Sequence, residues 1–509
     1  MNKKLSAFVY IIFLGVLSNN IFCMYQVEIP DFAFLPADLV FDKPDFPFAQ
    51  TPSLDLLVNL DEIKFNNIVN IICGIDFNFN FFKKIVSMYC CSKLSYLSDS
   101  KEWMGSGKHK CPFNVKYNKF FKKCKKLMSD KLSQESALHE IFYAQKLFIN
   151  RTTKLITISD LHADFDALKS IFNNMHNSES IDDNLIIRDN SLLIGLGDYV
   201  DRKPMSLRTL TFLLIIALKN PGKVILLRGN HEDVNINLCY KINIEIASVF
   251  GAEFIEDSYE LLVQLYELMP SVIYAAQSNP LDNINDFLIF SHALLDFKFD
   301  PRNFLDFNNS ELMRDGGKRF CIIEQNIFGC EDLVDIPFTG YGFVWHDIGL
   351  KNSSRVEIDS SSNRYSYKPD FIKSFCKKYS SETNLISGIV GGHEHFLAKY
   401  IHLSDKNPSE FTQKDFRGEF TSAVAYIKVA DKADSVEVKT GLIDSQYEEG
   451  VCFSNGAESG YSKCFTMVKF VSAPIDNVAY KPTYLVISRC IAENLGGNVF
   501  WNYNVAECS

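Results

Sequence analysis

Five short polar strings in this 509-residue chain contain half of its ten histidines. In chain order they are Asp160-Leu161-His162, Gly197-Asp198-Tyr199-Val200-Asp201-Arg202, Gly229-Asn230-His231-Glu232, Ser291-His292 and Gly391-Gly392-His393-Glu394-His395. Carboxylate and imidazole groups are the ligands that divalent cations take in sites with positions left open to water or substrate. One string alone carries little weight, but unrelated core or surface histidines would rarely fall into this order. The set therefore predicts a site for two divalent metal ions, with Mn, Fe and Zn as the candidates.

Each string follows a run of apolar residues that predicts a buried strand. The runs are 155–159, 192–196, 224–228, 287–291 and 386–390. Segments 165–175 and 205–218 have the spacing of helices, so strands and helices alternate along this part of the chain. Ligands gather beyond the carboxyl ends of the strands in open α/β sheets. We therefore expect the five strings to converge on one place.

Two of the strings place a pair of metal-binding side chains two residues apart. Asp160 and His162 follow the end of a strand, where an extended backbone would point both side chains to the same side. The same argument applies to His393 and His395, whose two preceding glycines allow close approach of the backbone. A two-metal site also needs one group shared by both ions, and Asp198 is the candidate for that bridge.

The remaining residues of the strings suit phosphoryl chemistry. Asn230 offers a neutral oxygen ligand and His292 a further imidazole. Two cations roughly 3.5–4 Å apart would activate a shared water as the nucleophile and clamp a phosphoryl group. Asp201 beside His231 would keep the imidazole protonated, ready to donate a proton to the leaving group. Arg202 offers a planar fork for the other phosphate oxygens.

The segment from 196 to 232 resembles the calcineurin-type metallophosphoesterases, and most of all the phosphoprotein phosphatases of bacterial type. It carries Gly-Asp-Tyr-Val-Asp-Arg and then Leu-Leu-Arg-Gly-Asn-His-Glu, and weaker echoes follow at 344–347, Arg364 and 470–474. By this resemblance one metal is bound by Asp160, His162 and Asp198, and the other by Asp198, Asn230, His292 and His393. His231 with Asp201 matches the proton-donating pair, and Arg202 and Arg364 match phosphate-binding arginines.

The chain also departs from the phosphoprotein phosphatase pattern. His395 fits the Gly-His-x-His ending of the wider superfamily, in which the second histidine also binds metal, so we expect it to be an extra ligand. Lys203 replaces a glycine that usually follows the arginine, which adds a positive charge near the phosphate site. The resemblance implies an α/β fold, a two-sheet β-sandwich flanked by helices.

Composition and charge limit the class of protein. The chain is 47% hydrophobic and 22% charged, which is typical of globular proteins, and its net charge of −10 argues against general nucleic-acid binding.

Segment 101–131 is rich in lysine and phenylalanine. It is interpreted as an amphipathic helix with a solvated basic face, or as a contact for an acidic partner or a membrane surface.

The first 23 residues have the layout of a secretory signal. Lys3 and Lys4 precede an apolar stretch over 5–17, which is shorter than the ~20 residues that a membrane span needs. We therefore expect a secreted or periplasmic protein with no transmembrane span in the mature chain. Export would also account for the 14 cysteines as local disulfides, whereas buried thiols in a cytosolic protein are the alternative.

The domain organisation follows from the position of the strings. Residues 24–150 are predicted to be a mainly helical region, either a cap on the catalytic domain or a separate partner-binding module. The catalytic domain is placed at 151–490, with insertions near 300–340 and 402–466, and residues 491–509 are expected to be a loose or disulfide-tethered tail. Loops in the insertions would select the substrate.

The sequence favours a metal-dependent phosphomonoesterase, and first of all a phosphoprotein phosphatase acting on phosphorylated Ser, Thr or Tyr. One alternative is a nucleotide or dinucleotide-polyphosphate hydrolase, because the same metal core serves both and His395 belongs to the wider superfamily. Another is an effector whose 24–150 region binds a partner while the metal core is secondary.

Overall fold

The structure is a computed structural model that describes seventeen stretches of the chain. They are residues 64–74, 77–97, 103–104, 142–150, 152–279, 284–297, 299–306, 318–322, 342–348, 356–359, 364–367, 369–395, 423–429, 436–440, 465–473, 482–492 and 498–508. The predicted signal over 1–23 and nearly all of the lysine-rich segment 101–131 lie outside these residues. So do most of the two predicted insertions.

Strands and helices alternate through the centre of the chain. The strands are β1 (Trp103–Met104), β2 (Tyr143–Phe148), β3 (Lys154–Ile158), β4 (Ser191–Gly195), β5 (Val224–Leu226), β6 (Val272–Asn279), β7 (Ile284–Ser291), β8 (Lys318–Ile322), β9 (Asp347–Ile348), β10 (Val356–Asp359), β11 (Arg364–Tyr367), β12 (Asn384–Gly391), β13 (Ala423–Val429), β14 (Val436–Thr440), β15 (Phe465–Val471), β16 (Thr483–Ala492) and β17 (Asn498–Glu507). The helices are α1 (Phe65–Cys73), α2 (Phe79–Leu97), α3 (Phe165–Asn177), α4 (Ser206–Lys219), α5 (Val234–Cys239), α6 (Ile242–Val249), α7 (Ile255–Glu267), α8 (Arg302–Asp306), α9 (Gly342–Trp345) and α10 (Pro369–Tyr379), and a short 3₁₀ helix covers Ala252–Phe254.

The described strands form two large sheets and one small one. The nine-stranded sheet has the order β1-β8-β2-β6-β7-β12-β15-β13-β14, and the five-stranded sheet has the order β17-β16-β3-β4-β5. Strands β9, β10 and β11 form the small sheet. One apolar cluster takes its side chains from both large sheets, for example Leu155 and Ile194 from one and Ile273 and Leu288 from the other. The predicted two-sheet sandwich flanked by helices is therefore confirmed.

Alternation along the strands creates a core on each face of a sheet. In β3, Leu155 packs into the cluster between the sheets, whereas Ile156 packs into the cluster beneath the helices. In β6, Ile273 faces the other large sheet and its neighbour Tyr274 faces a third cluster with α10. Because both faces of these strands are covered, their sequences are almost continuously apolar.

Helices α1 and α2 pack against the helical face of the five-stranded sheet. Their side chains belong to the same buried cluster as those of α3 and α4. Phe79 stacks on Phe254 at a ring-centroid distance of 4.4 Å, and Phe82 lies 5.4 Å from Phe250. Arg208 of α4 donates from Nε to the backbone oxygen of Ile72 at 3.0 Å. Within the described residues, this N-terminal region shares one buried core with the predicted catalytic domain.

Two boundaries differ from the sequence analysis. Strand β2 precedes residue 151, yet it pairs in parallel with β6 inside the nine-stranded sheet. Strand β17 lies in the predicted tail, yet it pairs antiparallel with β16 over its whole length. The described part of the predicted loose or disulfide-tethered tail is therefore not loose, because residues 498–507 form a strand of the five-stranded sheet. The sequence signal for β17 is the alternation of Val499, Trp501, Tyr503 and Val505. In the structure, the indole of Trp501 lies between the sheets.

Two further expectations concern membranes and disulfides. Among the described helices, none combines the length and the apolarity that crossing a bilayer requires.

The thiols of Cys73, Cys90 and Cys376 form no disulfide. Burial raises the pKa of the Cys90 and Cys376 thiols well above the usual range. The predicted disulfides stay a prediction for the remaining cysteines.

Replacing Phe82 tests whether α2 is part of the catalytic domain's core. Phe82 is fully buried, so Phe82→Ala should lower the free energy of unfolding by about 3–5 kcal/mol. Urea unfolding of the whole chain measures this. Asn80→Ala on the exposed side of the same helix is the control and should change it by no more than about 0.5 kcal/mol. An unchanged midpoint for Phe82→Ala would mean that α2 unfolds independently of the catalytic domain.

Candidate active site

The predicted ligand loops leave the carboxyl ends of parallel strands. Strands β3, β4 and β5 run parallel in one sheet, and β7 and β12 run parallel in the other. The loop after each of these five strands carries one of the five polar strings. Because the two sheets face each other, the five loops meet at one end of the sandwich.

Four side chains form the first group of donor atoms. Asp160, His162, Asp198 and His395 each offer one ligand atom within 4.8 Å of the others. His162 Nε2 lies 3.1 Å from His395 Nε2 and 3.5 Å from Asp198 Oδ2. His395 Nε2 lies 3.5 Å from Asp160 Oδ1. The structure thus brings the predicted extra histidine into the same group as the first three.

The second group shares Asp198 with the first. Asp198, His292 and His393 offer ligand atoms within the same 4.8 Å limit. Asn230 Oδ1 lies 2.9 Å from His292 Nε2 and 3.0 Å from His393 Nδ1, and His292 Nε2 lies 3.2 Å from Asp198 Oδ1. The two oxygens of Asp198 therefore face different groups, which is the arrangement expected of a bridging carboxylate.

The backbone places these side chains by a different route from the one predicted. Asp160 and His162 lie beyond the end of β3, with φ of +48° and +45°, so no extended segment aligns them. Asp198 and His393 also have positive φ, at +56° and +71°. Left-handed backbone is uncommon for residues other than glycine, and such conformations concentrate at functional sites.

Close approach of the two sheets depends on Gly392. A Cβ at this position would lie 1.9 Å from Ser159 Oγ and 2.0 Å from Asp160 Oδ2. The backbone N–H of His393 donates to both oxygens of Asp160 at 3.0 Å. The glycine therefore lets the loop after β12 contact the loop after β3 directly, as the sequence suggested.

Contacts behind the histidines orient the donor atoms toward the site. His162 Nδ1 faces the backbone oxygen of Val200 at 3.3 Å, and His292 Nδ1 faces that of Leu196 at 3.1 Å. On His393 the ring nitrogen that faces away, Nε2, lies 3.4 Å from Asp347 Oδ1. Metal-binding histidines typically donate their outer N–H to a carbonyl or carboxylate in this way. The residues present therefore fit a pair of divalent cations.

Burial sets the charge of most of these groups. It lowers the pKa of His393 to about 3 and of His395 to about 2, and it holds the pKa of His162 well below its usual value. Neutral imidazole is the form that binds metal. The pKa of Asp198 stays well below the usual range despite its burial, because His292 and His231 lie beside it.

The predicted proton-donating pair lies at the edge of the first group. His231 Nδ1 is 2.9 Å from Asp201 Oδ2, and His231 Nε2 is 3.9 Å from Asp198 Oδ2. The backbone N–H of His231 donates to Asp198 Oδ1 at 3.0 Å. With Nδ1 committed to Asp201, the ring presents Nε2 to the space beside the donor atoms.

The two predicted phosphate-binding arginines have different neighbours. Arg202 is exposed, and its guanidinium lies 5.6 Å from the ring centre of Tyr240. Arg364 lies 5.0 Å from the ring of Trp345, and its Nη1 is 3.8 Å from Asp347 Oδ2. Each arginine is thus flanked by an aromatic ring that limits its movement.

Lys203, the extra positive charge expected near the phosphate site, is paired in the structure. Its ammonium donates to the carboxylate of Asp164. The same Asp164 caps the start of α3 by accepting from the backbone N–H of Ala167.

Two residues that support the loops received no role from the sequence. Glu232 accepts from the backbone N–H groups of Asp198, Tyr199 and Gly229 at 2.7–2.9 Å, so it ties the loops after β4 and β5 together. Lys469 of β15 is buried and donates to the backbone oxygens that follow His292 and precede His393, those of Ala293 and Gly392. Glu232 at least stands inside a recognised string, whereas nothing in the sequence marks Lys469.

The region from 153 to 397 matches the family of calcineurin-like phosphoesterases. Residues 153–397 are a calcineurin-like phosphoesterase domain. The resemblance drawn from the strings is thereby confirmed, and the match includes every predicted metal ligand.

Known proteins similar to this phosphoesterase domain include protein phosphatases of yeasts. The chain is 30% identical over 132 residues to serine/threonine-protein phosphatase PP1-1 of Saccharomyces cerevisiae, and 31% identical over 132 residues to serine/threonine-protein phosphatase SIT4 of Candida albicans. Each match covers 26% of this chain and 40% of the relative, so the chain spans well under half of these relatives' length. A solved protein serine/threonine phosphatase from Saccharomyces cerevisiae, described as similar to human phosphatase PP5, superposes with a TM-score of 0.38 at 14% identity, covering 72% of this chain and 83% of that one.

Removing His395 tests whether it completes the first donor group. His395→Ala removes one of the four donors of the first group. The affinity for one of the two divalent cations should therefore fall by roughly tenfold or more. Loss of a residue that only hydrogen-bonds to a metal ligand already costs about 10–100-fold in metal affinity. Calorimetric titration of the metal-free protein with Mn²⁺ measures this. His176→Ala, which removes a half-exposed histidine from α3, is the control. If His395→Ala bound both cations with the affinities of the wild type, His395 would not be a ligand.

Proposed function

We propose that this protein is a metal-dependent phosphomonoesterase that removes phosphate from phosphorylated serine or threonine in proteins. The observation that supports it best is the shared carboxylate of Asp198, with donor groups on both sides and the His231–Asp201 pair next to them. The similarity to serine/threonine-protein phosphatases over 132 residues supports the protein substrate.

We propose that each cation is held by one of the two donor groups. One cation would be held by Asp160, His162, Asp198 and His395, and the other by Asp198, Asn230, His292 and His393. When bound, a pair of divalent cations supplies an activated water and neutralises the charge of a phosphate group.

The chain's own residues would bind the phosphate and protonate the leaving group. Arg202, beside Tyr240, and Arg364, beside Trp345, carry N–H groups suited to phosphate oxygens. His231 presents Nε2 beside the donor groups, where it can donate a proton to the departing serine or threonine oxygen. Asp201 holds the ring in that orientation through Nδ1. Proton donation matters because an alkoxide leaves poorly.

A nucleotide or dinucleotide-polyphosphate hydrolase is the second candidate, and the position of His395 favours it. The resemblance places a second histidine in the wider superfamily rather than in most phosphoprotein phosphatases, and here that histidine lies within the first donor group.

The direct test of the activity is hydrolysis of 4-nitrophenyl phosphate by the purified chain. Removal of divalent cations with a chelator should abolish turnover, and Mn²⁺, Fe²⁺ or Zn²⁺ should restore it. His231→Asn should lower kcat by about 100-fold or more, since a positioned general acid is worth about 10²–10⁴-fold. His176→Asn, on the exposed side of α3, should have no effect.

Comparison of substrates separates the two candidates. Phosphoserine and phosphothreonine peptides should be hydrolysed with a higher kcat/KM than nucleoside triphosphates or dinucleoside polyphosphates. A clear preference for nucleotides would contradict the protein-phosphatase proposal and leave the phosphoesterase activity standing. Turnover that survives complete removal of metal would contradict both.

A further inference from the structure

A buried amide lies behind the proton-donating pair. Asn237 of α5 is fully buried, and its side chain contacts both members of the pair. Its Nδ2 donates to Asp201 Oδ2 at 2.8 Å and to the backbone oxygen of His231 at 2.7 Å. Both hydrogens of the amide are therefore used, one on each member.

The orientation of this amide is fixed by its acceptors. If the side chain were flipped, its Oδ1 would face a carboxylate and a carbonyl, which offer no hydrogen to it. In the orientation observed, Oδ1 accepts from the hydroxyl of Tyr266 at 3.0 Å. Tyr266 of α7 is buried. Burial, together with the nearby Glu232, raises the pKa of this hydroxyl well above its usual value, so it remains a donor.

Asp201 depends on these contacts because its own backbone is strained. Its φ is +69°, and its side chain is completely buried. Asp201 Oδ2 accepts hydrogen bonds from Asn237 Nδ2 and His231 Nδ1. No described residue donates to Asp201 Oδ1. A second contact fixes the backbone, where the N–H of Asp201 donates to Ser206 Oγ at 3.0 Å. Without the amide, the carboxylate would be held by His231 alone.

We propose that Asn237, oriented by Tyr266, is a positioning residue that holds Asp201 and His231 in the geometry for proton donation to the leaving group. The inference rests on the proposed function, because it concerns the same proton transfer. It adds a Tyr266–Asn237–Asp201–His231 chain of hydrogen bonds, with its first member on α7 and its last in the loop after β5.

A positioning role makes the effect depend on the leaving group. Protonation contributes most when the departing oxygen is a poor leaving group, such as an alkoxide, and least when it is 4-nitrophenolate. A residue that only stabilised the fold would lower the rate for both kinds of substrate alike.

The experiment measures kcat of the metal-loaded full chain on phosphoserine peptide, phenyl phosphate and 4-nitrophenyl phosphate. Asn237→Ala should lower kcat about 10–100-fold for the phosphoserine peptide and only a few-fold for 4-nitrophenyl phosphate. The larger loss is a part of the about 10²–10⁴-fold that the general acid itself contributes. Tyr266→Phe, which removes one oxygen and keeps the ring, should show the same selectivity with a smaller loss. If Asn237→Ala does not fold, Tyr266→Phe decides alone.

Matched controls separate positioning from stability. Tyr484→Phe removes the hydroxyl of another buried tyrosine, which donates to the side-chain oxygen of Asn174 at 2.8 Å. This variant should leave the ratio of the rates unchanged. Combining Asn237→Ala with His231→Asn should add almost no further loss to that of His231→Asn, because both act on one proton transfer.

Two results would overturn the inference. Equal losses of kcat for good and poor leaving groups would mean that the amide only supports the fold, and so would multiplicative losses in the double variant. If the wild-type chain hydrolysed none of the three substrates, the proposed function itself would fail first, which distinguishes the two outcomes.

Discussion

The candidate site depends on one buried carboxylate, that of Asp198. Its side chain is almost completely removed from solvent, with one oxygen 3.2 Å from His292 and the other 3.5 Å from His162. A buried charge of this kind destabilises the fold unless opposite charge and hydrogen bonds compensate it. The N–H of His231 supplies one such hydrogen bond, to Oδ1. Divalent cations would supply the opposite charge, and they would draw the two donor groups together.

Most of the surrounding structure holds loops against this carboxylate. Glu232 ties the loop after β4 to the loop after β5, Gly392 lets the loop after β12 approach Asp160, and Lys469 joins the loops that carry His292 and His393. These supports come from both sheets of the sandwich. Hydrogen bonds from both sheets therefore hold the ligand loops in place, whereas Arg202 is exposed.

The sequence predicts the strands and the ligand set well because both are local signals. The apolar runs ending near Ser159, Leu196 and Val390 become β3, β4 and β12 within one or two residues. The convergence of their loops follows from the parallel arrangement. Asp160 and His162 were expected to be aligned by an extended backbone, which is wrong. Both residues have left-handed backbone, which no alternation in the sequence reveals.

Residues that act through long-range contacts could not be found in this way. Asn237 and Tyr266 carry no motif, and they meet only because α5 and α7 pack together. Lys469 is separated from Ala293 by 176 residues, and an isolated lysine in a strand gives no sign of being buried. Strand β2 was assigned to the helical region because its partner β6 lies more than a hundred residues away.

The metal content of Asp198→Asn tests the central claim most directly. Mass spectrometry of the purified wild-type chain should find two divalent cations per molecule. Asp198→Asn keeps the size of the side chain but removes the shared charge, so this variant should lose tight binding of both ions. Asp189→Asn, which changes an exposed carboxylate paired with Lys223, should retain two. If Asp198→Asn still held two cations as tightly as the wild type, Asp198 would not be the bridge.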